Sequence, residues 1–182
     1  MSAHTETTLQ RWLDEEAVVL AQRELGLRQP HPDRAHWASR PGIEFMQAMV
    51  RGEATPPSIG HTLDFWVMEV TEGQAVFQGR PGAAHMNPLG TIHGGWFATI
   101  LDSALGCAVH SRMPPGRGYT TAELSVNIVK SLTPQIQRVR AVGHVLHCGR
   151  QLATAEAKLT GPDGTLYAHA TTTCLVFELP KP

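Results

Sequence analysis

Two periodicities divide this chain. Up to about residue 51, apolar residues recur at helical spacing; from about His61 they alternate with polar ones. Residues 7–25 predict an amphipathic helix. Leu9, Trp12, Leu13, Val19 and Leu20 fall on one face with Glu and Arg elsewhere, Thr7 and Gln10 stand at capping-box spacing, and Gly26 is a stop. Prolines and polar residues from Gln29 to Pro41 predict a loop, and a second helix is expected over 42–51 with Phe45, Met46, Met49 and Val50 inward. These two helices and their methionines are expected to serve packing. The remainder reads as strands. A hairpin turns at Glu72-Gly73, and later strands cover 119–132, 137–147, 151–160 and 165–177. In the first of these, Ala122, Leu124, Val126 and Ile128 alternate with Thr121, Glu123, Ser125 and Asn127.

One stretch breaks the alternation. After the polar loop His85-Met86-Asn87-Pro88-Leu89-Gly90-Thr91-Ile92-His93, residues Gly94 to His110 predict a helix that is apolar on almost every side. Such a helix is buried all round. A sheet with one apolar face, wrapped on that helix, solves the burial problem of both, so the fold class expected is α+β. Within the helix stands one carboxylate, Asp102, between the hydroxyls of Thr99 and Ser103. A carboxylate in such surroundings needs donors close by, and Thr99, Ser103 and Asn87 are the candidates.

The helix start is a second chemical feature. Gly94 and Gly95 leave free backbone N–H groups uncovered at the positive end of the helix, where a ligand oxygen can approach. That is the makings of an oxyanion hole. Gly94 and Asp102 lie eight residues apart, hence about 12 Å along the axis and turned by about 80°. One carbonyl cannot touch both ends of the same helix. If both groups act on one substrate, the acid comes from a second copy, and an antiparallel pair of helices gives two composite sites per homodimer.

Composition narrows the classes. A net charge of −1, from 15 basic and 16 acidic residues, argues against a nucleic-acid binder. The three cysteines, Cys107, Cys148 and Cys174, form no CxxC pair, which fits a reducing compartment and not a zinc cluster. His144 and His147 are three apart on a strand, expected on opposite faces. No signal peptide and no run of some 18 apolar residues is seen, so a cytoplasmic protein without a membrane span is expected.

Asn87-Pro88-x-Gly90-Thr91-x-His93-Gly94-Gly95, followed by Leu101-Asp102-Ser103, resembles the active-site segment of the PaaI-like hotdog-fold thioesterases. Thr121-Ala122-Glu123-Leu124-Ser125-Val126-Asn127 and the turns at Gly149-Arg150 and Asp163-Gly164 match the same family, over about residues 42–177. The resemblance implies a hotdog fold: a curved antiparallel sheet wrapped around a central helix, paired into dimers and dimers of dimers. A helical extension over 1–57 would precede a hotdog domain over 58–180.

The activity it implies is hydrolysis of a medium-chain or aromatic acyl-CoA, with no metal and no cofactor. The Gly94 amide would polarise the carbonyl, and Asp102 of the partner subunit would act as nucleophile or general base. Asn87 would position carbonyl or water, Thr121 would lie near the water, and His93 would shape the turn. Gly95, Thr99 and Ser103 would line the substrate site, Met86 and Trp96 the acyl pocket, and Arg150 would meet a CoA phosphate. A hotdog hydratase or dehydratase, or a non-catalytic acyl-CoA binding module, are the alternatives. A Cys107–His110 nucleophile is the weakest candidate.

Overall fold

The computed structural model describes residues 3–30 and 39–179. Helices α1 (Ala3–Gly26), α2 (Gly42–Val50) and α3 (Ser58–Thr62) precede a hairpin of β1 (Phe65–Thr71) and β2 (Gln74–Gly79). The long helix α4 (Gly94–His110) follows, and then β3 (Arg117–Ile128), β4 (Val139–Cys148), β5 (Leu152–Thr160) and β6 (Leu166–Glu178). The strands form one antiparallel sheet in the order β1-β2-β4-β5-β6-β3. α4 packs against all six strands, the hotdog arrangement expected of a helix without a polar face. Among the described residues no helix is long and apolar enough to cross a membrane.

The sheet approaches α4 closely because its inner face is built from small residues. Ala141, Ala153, Ala155, Ala157, Ala168 and Ala170 are buried there. At Gly143 the contact is backbone to backbone: a Cβ would lie 2.4 Å from the Ala104 carbonyl oxygen. Larger residues fill the two ends of the helix, with Trp96, Phe97 and Ile100 at one and Leu105 and Val109 nearer the other.

Strict alternation fails at a register shift in each of β1, β3 and β4, and at a fourth between β5 and β6 at Leu159/Thr160. In β1 the register slips between Val67 and Glu69. Phe65 and Val67 therefore pack into the main core, Trp66 and Met68 into a second cluster, and Val70 returns to the main core. β3 slips at Ala122, between Thr121 and Glu123, and β4 slips at Leu146, between Val145 and His147. The last slip corrects an expectation. His144 and His147 are both exposed on the outer side, while Val145 and Cys148 pack inward. Among the described residues no group of three or more His, Cys, Asp or Glu is placed to hold a metal ion.

The N-terminal helices differ from expectation in three respects. α1 begins at Ala3, so Thr7 caps nothing; its hydroxyl donates to the Ala3 carbonyl at 2.9 Å and Gln10 bonds Asp14. Its buried stripe is Thr5, Leu9, Trp12 and Glu16, an acid expected on the solvent side. Glu16 accepts from Arg138 Nε at 2.5 Å and Nη2 at 2.7 Å, and from Gln78, while Arg140 stacks over Trp12 at 4.6 Å. This polar network fastens α1 to the outer face of β2 and β4. Second, α2 belongs to the main core through Phe45, Met46, Ala48 and Met49. Third, α3 was not foreseen; it is a single turn and a half between Pro57 and the first strand. Most of the loop expected over 29–41 lies outside the described residues.

Candidate active site

The polar loop ahead of α4 is closed by its own side chains. Asn87 Oδ1 accepts from the Leu89 amide at 2.9 Å and the Thr91 amide at 3.3 Å, while its Nδ2 donates to Thr91 Oγ1 at 2.9 Å. Gly90 takes the turn with φ of 78°, a conformation that favours glycine. Met86 bridges to Ile92 and is exposed. The loop fixes His93 at the N-cap of α4, where Nδ1 accepts from the Gly95 amide at 2.9 Å.

That cap separates the two glycines. Gly95 has its N–H engaged by His93, and the Trp96 amide turns back to the His93 carbonyl at 3.0 Å. The Gly94 N–H has no acceptor among the described residues. The amide able to receive a ligand oxygen is therefore that of Gly94.

Asp102 sits half-buried two turns further on. Its expected donors are occupied elsewhere: Thr99 Oγ1 donates to the Gly95 carbonyl and Ser103 Oγ to the Thr99 carbonyl, each at 2.8 Å. Back-bonding to the preceding turn is the ordinary alternative for hydroxyls within a helix. The donor to Asp102 comes from the sheet: Thr121 Oγ1 donates to Oδ1 at 3.0 Å. The β3 bulge makes this possible. Leu124 and Val126 pack on the core, so unbroken alternation would send Thr121 to the outer side; the extra residue, Ala122, lets Thr121 face α4 as well. Thr172 Oγ1 donates to the Glu123 carbonyl at 2.6 Å beside the bulge.

Asp102 and Ser103 border an apolar cavity of about 230 Å³. Cys107 and Tyr119 border it too. Burial pushes the Cys107 thiol up to about 12, assisted by the Asp102 charge, so this cysteine is a neutral wall residue and a poor nucleophile. Burial, with Cys107, Cys174 and Asp102 nearby, also pushes the Tyr119 phenol upward, which keeps its proton in place.

Other expected residues stand apart from this cavity. Trp96 is sealed in the core with its indole N–H on the Leu63 carbonyl at 2.8 Å. Arg150 is exposed in the β4–β5 turn, its carbonyl taken by Arg117. Conversely, Val19, Met46, Met49 and Ile59 of the N-terminal helices do border it. The sequence assigned those helices to packing; only the pairing of two methionines three residues apart hinted at an adaptable apolar wall.

Residues 89–168, which run from the Asn87 loop through α4 into β6, match the thioesterase superfamily. That segment is 80 of the 182 residues, and over it the chain is similar to that superfamily. As a thioester hydrolase it is similar to a putative thioesterase, a phenylacetic acid degradation-related protein from Ralstonia eutropha. The two share 26% identity over 72% of this chain and 98% of the other, with a TM-score of 0.66. A variant of phenylacetic acid degradation protein PaaI from Thermus thermophilus shares 26% identity over 65% of this chain and 98% of its own, with a TM-score of 0.59. A thioesterase family protein from Silicibacter pomeroyi shares 25% over 68% and 91%, with a TM-score of 0.63. No curated protein sequence matches.

Proposed function

We propose that this thioesterase hydrolyses medium-chain or aromatic acyl-CoA thioesters at composite sites between two copies of the chain. The observation that carries the reading is the division of labour along α4: a free Gly94 N–H at its start, and Asp102, held by Thr121, on a cavity wall farther along. About 12 Å of helix separates the two, too far for one carbonyl. The Gly94 amide of one subunit polarises the carbonyl and stabilises the oxyanion. Asp102 of the partner subunit then acts in one of two ways. As general base it takes a proton from water while the water oxygen attacks the carbonyl carbon, and collapse of the tetrahedral intermediate breaks the C–S bond and passes that proton to the departing CoA thiolate; as nucleophile its carboxylate attacks the carbonyl carbon and expels the thiolate, leaving an anhydride that water cleaves to the free acid and the regenerated carboxylate. Thr121 holds the carboxylate in either route. Asn87 and His93 hold the loop and cap that present Gly94, and Arg150 is available to a CoA phosphate.

The edge strand β3 supports pairing. It is 12 residues long, carries unpaired backbone groups on one side, and ends at the exposed Ile128, followed by the exposed Val129. We take the unit to be a homodimer, able to pair again. The three unpaired cysteines are in keeping with a reducing, cytoplasmic setting.

The test measures thiol release from an acyl-CoA panel by wild type, Asp102→Ala and Gly94→Pro. Proline is tolerated at the first helical position, where it removes only the N–H. His93, with φ −63° and ψ 139°, already has a conformation that suits a following proline. Each variant is expected to lose about 100-fold or more in kcat. Unfolding and refolding the two inactive variants together should restore about a quarter of wild-type activity, because half of the random dimers hold one intact site. Undiminished hydrolysis by Asp102→Ala, or no recovery on mixing, would sink the composite site.

A further inference from the structure

The helices ahead of the sheet stand next to the chemistry. The cavity bordered by Asp102 does not stop at the hotdog sheet. It continues under α2, where Met46 and Met49 face it, and reaches Val19 of α1 and Ile59 of α3. α1 is fixed in that position by the Glu16–Arg138 pair, whose side chains are only 6% and 12% exposed. The superfamily match begins at residue 89, so none of these four residues belongs to the matched segment.

We propose that α1, α2 and α3 form the acyl-selecting end of this enzyme's site, with Met46, Met49 and Ile59 setting which acyl group fits. The inference rests on the thioesterase reading above and names the part of the chain that chooses its substrate. Size supports the class of substrate. A cavity of about 150 Å³ lined by aliphatic and aromatic residues accepts a benzene ring; this one, at about 230 Å³, has room for a ring with a short arm or a folded chain of similar bulk. The walls added by α2 and α3 are thioether and aliphatic, which reward apolar contact, while α1 adds Val19 and the charged Arg23 to the lining. Asp102, which borders the same cavity, then meets the thioester carbonyl while the acyl group points toward the N-terminal helices.

The experiment compares kcat/KM for butyryl-, hexanoyl-, decanoyl- and phenylacetyl-CoA in wild type, Met49→Ala and Ile59→Trp. Wild type is expected to favour hexanoyl and phenylacetyl over decanoyl. Met49→Ala removes wall and should raise the decanoyl-to-hexanoyl ratio by about tenfold or more, the discrimination that a few buried methylenes supply. Ile59→Trp, at a residue 45% exposed, adds bulk at the outer end without opening the core and should lower that ratio. A merely structural role would scale all four substrates together. Unchanged ratios in both variants, with wild type active, overturn the inference while leaving the thioesterase reading intact. If Met49→Ala fails to fold, Ile59→Trp alone decides. A wild type inactive on the whole panel would instead remove the acyl-CoA reading and the inference with it.

Discussion

Thr121 Oγ1 lies 3.0 Å from Asp102 Oδ1, joining an edge strand to the middle of the central helix. The contact depends on one extra residue, Ala122, in a strand whose later side chains point inward on the opposite parity. Bulges re-aim side chains at functional sites in this manner. Replacing Thr121 by Val keeps shape and removes the donor. A hydrogen bond to a charged group contributes about 1.5–3 kcal/mol, so kcat should fall about 10- to 100-fold with little change in thermal midpoint. Deleting Ala122 should be worse, because Tyr119 and Thr121 then change faces together; loss of both activity and stability is expected. Steady-state kinetics and thermal unfolding check the pair.

The attachment of α1 can be tested at Glu16. Its carboxylate is buried with Arg138 and Gln78, and removing one partner of a buried ion pair strands the other charge. Glu16→Ala is expected to destabilise by about 3–5 kcal/mol. Limited proteolysis should cut first within α1, and denaturant unfolding should show the lower midpoint.

His110 predicts how stability follows pH. Burial pushes its imidazole down to about 4 from the ordinary 6.5, between the rings of Phe45 and Tyr119. The unfolded chain takes up a proton as pH falls below 6.5, and the folded chain refuses it until about 4. This contribution is therefore complete above pH 6.5 and is lost on acidification, by about 3 kcal/mol at pH 4. In His110→Phe the unfolding free energy measured between pH 7 and 4 should fall less steeply by that amount.

His93 is expected to matter for the helix start more than for the chemical step. Its Nδ1 holds the Gly95 amide at 2.9 Å, an N-cap bond. His93→Ala should cost about 1 kcal/mol, or about 2–4 °C in thermal midpoint for a chain of this size. kcat should change only a few-fold, far less than in Gly94→Pro. A drop equal to that of Gly94→Pro would give His93 a direct part in catalysis.

Local pattern alone determined much of this protein. Gly94–His110 is helical and sealed because its residues have no polar side, and the later strands follow from alternation that any solvent-facing sheet must show. The loop chemistry and the lone acid were legible too, since glycines at a helix start and a carboxylate among apolar residues are unusual where they stand. Tertiary structure decided what pattern cannot encode. A bulge is a matter of pairing between strands distant in sequence, so Thr121, not Thr99 or Ser103, became the donor to Asp102. The burial of Glu16 depended on where Arg138 and Gln78 came to lie, more than 60 residues away. The same holds for Met46 and Met49: apolar residues on a short helix read as core, and only the space left between α2, the sheet and α4 makes them also the wall of a cavity.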